Sequence, residues 1–264
     1  MFIIVGVSKQ NGKEGFSYME RHNKAEELYN TLHQEVLCED QEYEDIIKNF
    51  IYGDVYQHGS LDLATRELIT IVTLTTSRSH RLLENHIEAG LISDLSPVKI
   101  KEAIYQCTPY IGVVKVLEAL EIMYKVFNNK KVQLPLPTQK TVTEETRFQD
   151  GFDVQSNAFT KEAIQNNHNS APVELKHIQN YLSAYCFGDF YTRNGLDLKE
   201  RELITFVMLS TLGGCENQLR SHVGANIRVG NTRELLIEAI SQCIPYIGFP
   251  RTLNSISIIN EVTL

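Results

Sequence analysis

Residues 195–222 read GLDLKERELITFVMLSTLGGCENQLRSH. From Leu203 to Leu212 the residues are apolar nearly all round, which predicts a helix buried on every side. Gly213-Gly214 ends that helix, and Cys215 follows at once. His222 comes seven residues after the cysteine, about two turns of the next helix, so both side chains share one face. The stretch therefore predicts two helices meeting at a glycine hinge that carries a thiol.

The same pattern occurs earlier in the chain. FIYGDVYQHGSLDLATRELIT (Phe50–Thr70) matches YCFGDFYTRNGLDLKERELIT (Tyr185–Thr205) at an offset of 135 residues. EAIYQCTPYIG (Glu102–Gly112) matches EAISQCIPYIG (Glu238–Gly248) at an offset of 136. The one-residue slip falls at the Gly-Gly-Cys segment. A repeat this long means two homologous copies rather than a solenoid of small units. The expected division is an arm over 1–16, repeat 1 over 17–127, a linker over 128–140 and repeat 2 over 141–264. No stretch alternates with period two. The fold expected is all-α, a duplicated helical bundle whose two copies pack face to face about a pseudo-twofold axis.

Further signals set the helix boundaries. Apolar spacing predicts one helix over 17–37, and a second over 43–57 that breaks near Gly53. Asp62 precedes Leu63 as a capping residue. Ser96-Pro97 supplies a cap and a first-turn proline. Pro109 must end or kink its helix, because it has no amide hydrogen. A further helix covers Val113 to Phe127. The polar segment that follows, with Pro135 and Pro137, reads as the linker. The apolar run Phe2–Val7 reads as a short strand-like or floppy arm, too short to span a membrane.

Composition narrows the function. The 264-residue chain is 42% apolar and 22% charged, with a formal charge of −8. That is an ordinary globular balance, and no basic stripe suggests nucleic acid. Cys38, Cys107, Cys186, Cys215 and Cys243 are odd in number and lack metal-ligand spacing, so neither a disulfide framework nor a metal site is expected. With no other address, a cytoplasmic location is expected.

The candidate reactive residues gather around the opening stretch. A thiol at a helix N-terminus feels the positive end of the dipole, so Cys215 is expected to have a lowered pKa; the alternative is a small buried cysteine near a turn. His222 has a counterpart in His86, so the pair marks either two catalytic sites or two structural histidines. Glu202, matched by Glu67, is either a dipole partner or a buried proton relay beside Cys215 and His222. Arg201 is expected to hold Glu202 or a substrate carboxylate. Cys107 and Cys243 read as core. Tyr110 and Tyr246 also read as core, with capping of a pocket as the other reading.

At these residues the chain resembles the carboxymuconolactone decarboxylase family, which includes alkylhydroperoxidase D-like proteins. The resemblance lies in Gly195 to Thr205, Gly213 to His222, and the Tyr-Ile-Gly-x-Pro-Arg run from Tyr246 to Arg251. It covers both copies. It implies an alkylhydroperoxidase D-like helical fold and a homo-oligomer, with a trimer of two-copy chains favoured. It also implies two activities: cofactor-free decarboxylation of a carboxylated muconolactone, and peroxide reduction through a Cys-x-x-Cys-x-x-x-His motif with an upstream glutamate. Cys215, His222 and Glu202 fall on that motif, but Gln218 stands at its second cysteine. Repeat 1 has no cysteine there and retains only Glu67 and His86.

The leading expectation is a cofactor-free enzyme acting on a small carboxylated lactone or keto/enol acid. His222 would be general acid/base, Glu202 would tune it, and Arg201, Arg220 and Tyr246 would bind substrate. The rival is a single-cysteine, peroxiredoxin-type peroxidase on Cys215, resolved by an external thiol or a distant one such as Cys243. A non-catalytic helical scaffold is the third. The partner expected is a small-molecule substrate, with no nucleic acid or membrane.

Overall fold

The computed structural model describes residues 18–33 and 35–264; among them there is no strand, and the chain is all-α. The arm expected over 1–16 lies outside the described residues. Contacts divide the chain into residues 1–57 and 58–264.

The first unit holds α1 (Tyr18–Leu32), α2 (Gln41–Lys48) and a π-helix, π1 (Asn49–Val55). Asp40 caps α2 by accepting the Tyr43 amide. The helix expected over 17–37 ends at Leu32. The expected break at Gly53 is corrected, since the helix runs through it. A Cβ at Gly53 would lie 2.8 Å from the Arg21 carbonyl oxygen, so glycine is needed for the close approach of α1 and π1. Arg21 also pairs with Asp54 across that contact (Nε to Oδ1, 2.8 Å).

The second unit begins with α3 (Leu63–Ser77), α4 (His80–Ile92), α5 (Pro97–Gln106), α6 (Thr108–Ile111) and α7 (Val113–Asn129). Repeat 2 continues with α8 (Arg147–Phe159), α9 (Lys161–Ser170), α10 (Lys176–Tyr181), a second π-helix π2 (Leu182–Tyr191), α11 (Leu198–Leu212), α12 (Glu216–Val229) and α13 (Arg233–Thr263). Asp62 caps α3 through the Thr65 amide, and Ser96 caps α5 with Pro97 in its first turn. Asp197 and Glu200 cap α11 reciprocally, satisfying two amides the helix cannot.

The buried helices α3 and α11 pack against each other at the centre. One core draws on both repeats, including Ile69, Ile71, Ile204, Phe206 and Ile240. Polar contacts between the repeats are reciprocal. Arg66 Nη1 donates to Gln242 Oε1 at 2.9 Å, and Arg201 Nη1 donates to Gln106 Oε1 at 2.7 Å. Glu238 accepts the Ser60 amide at 2.8 Å, and its counterpart Glu102 pairs with Arg193, two residues before Ser60's counterpart Gly195, at 2.8 Å. Residue i meeting j while j's equivalent meets i's is the mark of a twofold relation. The segment at 128–140 is thus a boundary of sequence, not of packing: Val132, Leu134 and Leu136 seat against the shared core.

In repeat 2, α8 packs on π2 and on α12. Gly151 and Gly188 let α8 and π2 meet backbone to backbone. Arg147 pairs with Asp189 there (Nε to Oδ1, 2.8 Å), as Arg21 does with Asp54. This layer forms the outer wall of the site.

Candidate active site

The hinge differs between the repeats by one residue. Arg78 and Ser79 link α3 to α4, with Arg78 in the left-handed region at φ 60°. Gly213, Gly214 and Cys215 link α11 to α12, and the two glycines have φ 65° and 71°. Glycine suits positive φ at no steric cost. Cys215 is the N-cap of α12, as Ser79 is of α4.

Two turns on, His222 turns inward from α12, and its Nδ1 lies 2.7 Å from Glu202 Oε2. With the ring proton on Nδ1, the imidazole donates to that carboxylate oxygen. Glu202 is fully buried, and its other oxygen, Oε1, is buried without a hydrogen-bond partner. Asn226 fastens the two helices beside the pair. Its Nδ2 donates to the Glu202 carbonyl at 2.9 Å and the His222 carbonyl at 2.8 Å, and its Oδ1 accepts from Asn231 Nδ2 at 2.7 Å. Repeat 1 has Gly90 at the position of Asn226.

His222 and Cys215 line one cavity of about 530 Å³ with Gln218, Cys186, Phe159 and Tyr110. Phe159 meets the imidazole edge-on at 5.1 Å between centroids, and Tyr110 does so at 5.8 Å. Tyr110 comes from repeat 1, so the cavity is built by both repeats. Its hydroxyl is bonded to the Tyr191 hydroxyl at 2.8 Å, which is bonded to Thr205 Oγ1 at 2.8 Å. Burial, then the nearby Cys186, Tyr191 and Glu202 charges, push the Tyr110 phenol well above its usual pKa. Burial likewise pushes the Cys186 thiol up to about 12.

Several expected roles are corrected by position. The Cys215 thiol is raised, not lowered: partial burial and the adjacent Glu216 both disfavour the thiolate. Its Sγ also donates to the Leu209 carbonyl at 3.3 Å, a bond that only the protonated thiol makes. Arg201 does not hold Glu202. It is buried, bonded to Gln106 and the Arg193 carbonyl, with Glu102 at 3.6 Å. Arg220 pairs with Glu261 at 2.7 Å on the surface. Tyr246 belongs to the other repeat's pair, with its hydroxyl 3.3 Å from His86 Nε2. His86 Nδ1 is 2.7 Å from Glu67 Oε2, so the Glu–His geometry is present twice. Cys243 is fully buried and bonded to the Ala239 carbonyl, out of reach as a resolving thiol.

Two residues were missed as part of the site. Tyr110 read as core, with capping of a pocket as the other reading, and it lines the cavity; its placement from the other repeat is invisible in one sequence. Cys186 carried no spacing signal. Asn226 was detectable in principle, as a polar residue four after His222 on the same helix face. Among the described residues, no group of three His, Cys, Asp or Glu is placed to hold a metal ion, and no helix is long and apolar enough to cross a membrane.

Fold and site together define a two-repeat helical protein in which a buried glutamate–histidine pair opens on a cavity. The model of the carboxymuconolactone decarboxylase family matches residues 41–125 and 176–261. The chain belongs to that family. It is similar to a 4-carboxymuconolactone decarboxylase of Acinetobacter baylyi, 27% identical over 121 residues, which are 46% of this chain and 90% of that protein.

Proposed function

We propose that the chain is a cofactor-free lyase that removes carbon dioxide from a small carbonyl acid, with His222 as the acid/base and Glu202 orienting it. The observation that carries this reading is the 2.7 Å bond between Glu202 Oε2 and His222 Nδ1 at the wall of a cavity. With Nδ1 held, the second ring nitrogen, Nε2, is the one available to a ligand. Breaking the carbon–carboxylate bond sends its electron pair into the adjacent carbonyl system. His222 then delivers a proton to the carbon that lost the carboxylate, and carbon dioxide leaves. The relative's named activity and the family membership support the same class. With 4-carboxymuconolactone as the trial substrate, His222→Gln should lower kcat by about 10²–10⁴, the range for a positioned acid/base, and Cys215→Ser should leave most of it. Turnover that survives His222→Gln and vanishes with Cys215→Ser would overturn the proposal.

One observation favours a peroxidase reading instead. Cys186 lines the same cavity as Cys215, a second thiol where Gln218 replaced the expected one. Mass spectrometry after peroxide treatment separates the readings: a Cys186–Cys215 disulfide formed in step with peroxide loss supports the peroxidase, and two reduced thiols exclude it.

A further inference from the structure

A second hydrogen-bonding group reaches the half-open cavity from α8. Gln155 lines it and is otherwise buried, at 6% exposure. Ser183 Oγ, on π2, donates to Gln155 Oε1 at 2.8 Å. His168 Nε2, on α9, lies 3.0 Å from the same hydroxyl. With the one hydroxyl proton committed to Gln155, the imidazole is the donor in that bond. The chain from His168 through Ser183 thus holds the amide with its oxygen towards π2. Gln155 Nε2 then points away from Ser183. It makes no hydrogen bond to the protein among the described residues, and unlike Gln106 Nε2 it is not sealed from solvent. An oriented amide whose N–H groups open on a cavity is a donor presented to a ligand.

The parts of this chain are held by packing. Ser183 is fully buried, and its carbonyl lies against Gly151 of α8, where a Cβ would leave no room. His168 rests on Phe148 and Phe152, at 6.0 and 5.8 Å between centroids. Gln155 stands one helical turn before Phe159, so the two side chains are neighbours on one face of α8. Phe159 in turn meets the His222 ring at 5.1 Å. The amide and the imidazole therefore border one volume of about 530 Å³, within the range of about 300–1,000 Å³ typical of small-molecule sites. Repeat 1 lacks the chain. The pairs Arg21–Asp54 and Arg147–Asp189 set the register between the repeats, and it puts Tyr29 and Lys48 at the positions of Gln155 and Ser183. There Lys48 Nζ lies over the Tyr29 ring at 4.5 Å and pairs with Glu26 at 2.9 Å. Gln155 and His168 also lie outside the matched residues 176–261, so this donor comes from sequence beyond the family match.

We infer that Gln155 is a substrate-binding residue whose Nε2 donates to a carbonyl or carboxylate oxygen of the substrate, and that Ser183 and His168 are positioning residues which hold the amide in that orientation. The inference rests on the lyase reading for the class of ligand, but its test reads binding, not turnover. The probe is 4-carboxymuconolactone, titrated by calorimetry into the full chain carrying His222→Gln, so that the ligand stays unconverted. In that background Gln155→Met should weaken binding by about three- to tenfold, the loss of one hydrogen bond. Gln155→Glu keeps the bond from Ser183 and sets an acceptor where the donor was, so it should weaken binding further than Gln155→Met. Ser183→Ala should weaken binding by about two- to fivefold, and add nothing beside Gln155→Met, because it acts through that amide. A role confined to the fold would make those two losses add. Binding indifferent to Gln155→Met, or tighter with Gln155→Glu, would overturn the inference. So would a Ser183→Ala loss that persists in full beside Gln155→Met, or failure of the lactone to bind. The lyase reading fails separately, as carbon dioxide release that persists in His222→Gln, or as a parent chain that binds the lactone and releases none.

Discussion

Replacing Gly188 by alanine tests whether backbone contact between α8 and π2 shapes the cavity. An added Cβ would lie 2.9 Å from the Arg147 carbonyl carbon, closer still to its oxygen, and 3.3 Å from the Ser183 carbonyl oxygen. Ordinary contact begins near 3.4 Å, and every atom met is backbone, so no side chain can swing aside. The two helices must part by about 1 Å, a change of the kind that costs roughly 1–3 kcal/mol. For a chain of this size that lowers Tm by about 2–10 °C. The parting carries Gln155 and Phe159 away from Cys186 and Phe187, all of which line the cavity. Calorimetry should report the lower Tm, and iodoacetamide should label Cys186 faster than in the parent. Gly224→Ala is the control: nothing lies within 4 Å of its added Cβ, so it should stabilise α12 by about 0.5–1 kcal/mol. If Gly188→Ala matched Gly224→Ala in Tm and left Cys186 labelling unchanged, the argument from close approach would fail.

Two further predictions follow from the site. Asn226→Leu removes two donors and an acceptor from a fully buried position; it should cost about 2–4 kcal/mol in denaturant unfolding, and a loss below about 0.5 kcal/mol would refute its role as a fastener. The buried thiols predict an alkaline limit. Burial raises Cys186 and Cys243 from an ordinary 9.0 to about 12, so above pH 9 the unfolded chain loses protons that the folded chain keeps. Stability should therefore be at its full value below about pH 9 and decline towards pH 12. Cys186→Ala with Cys243→Ala should flatten that decline in pH-dependent melts; an unchanged slope would refute it.

Much of the fold was legible because it is encoded locally and twice. The hinge at Gly213-Gly214, the Asp62 cap and the Ser96-Pro97 start all follow from short-range backbone chemistry, and the structure bears them out. Gly53 misled because a glycine that breaks a helix and one that admits a neighbouring backbone look alike in sequence. The arginines misled for a related reason. Arg201 opens an apolar helix and is itself repeated, which suits a ligand contact as well as it suits a bond to the other repeat. Only the partner's identity, Gln106 at 2.7 Å, decides between them. The thiol misled because the N-terminal dipole was weighed without burial, and here desolvation is the larger cause.

The reciprocal contacts tie the two repeats to each other. Each Glu–His pair faces a tyrosine from the other repeat: Tyr246 for His86, and Tyr110 for His222. Each buried arginine also needs the other repeat's glutamine. Deleting either repeat would remove that glutamine and open the shared core. Repeat 1 thus supplies Gln106, Glu102 and Tyr110 across the interface, while the hinge cysteine and Asn226 occur in repeat 2 alone.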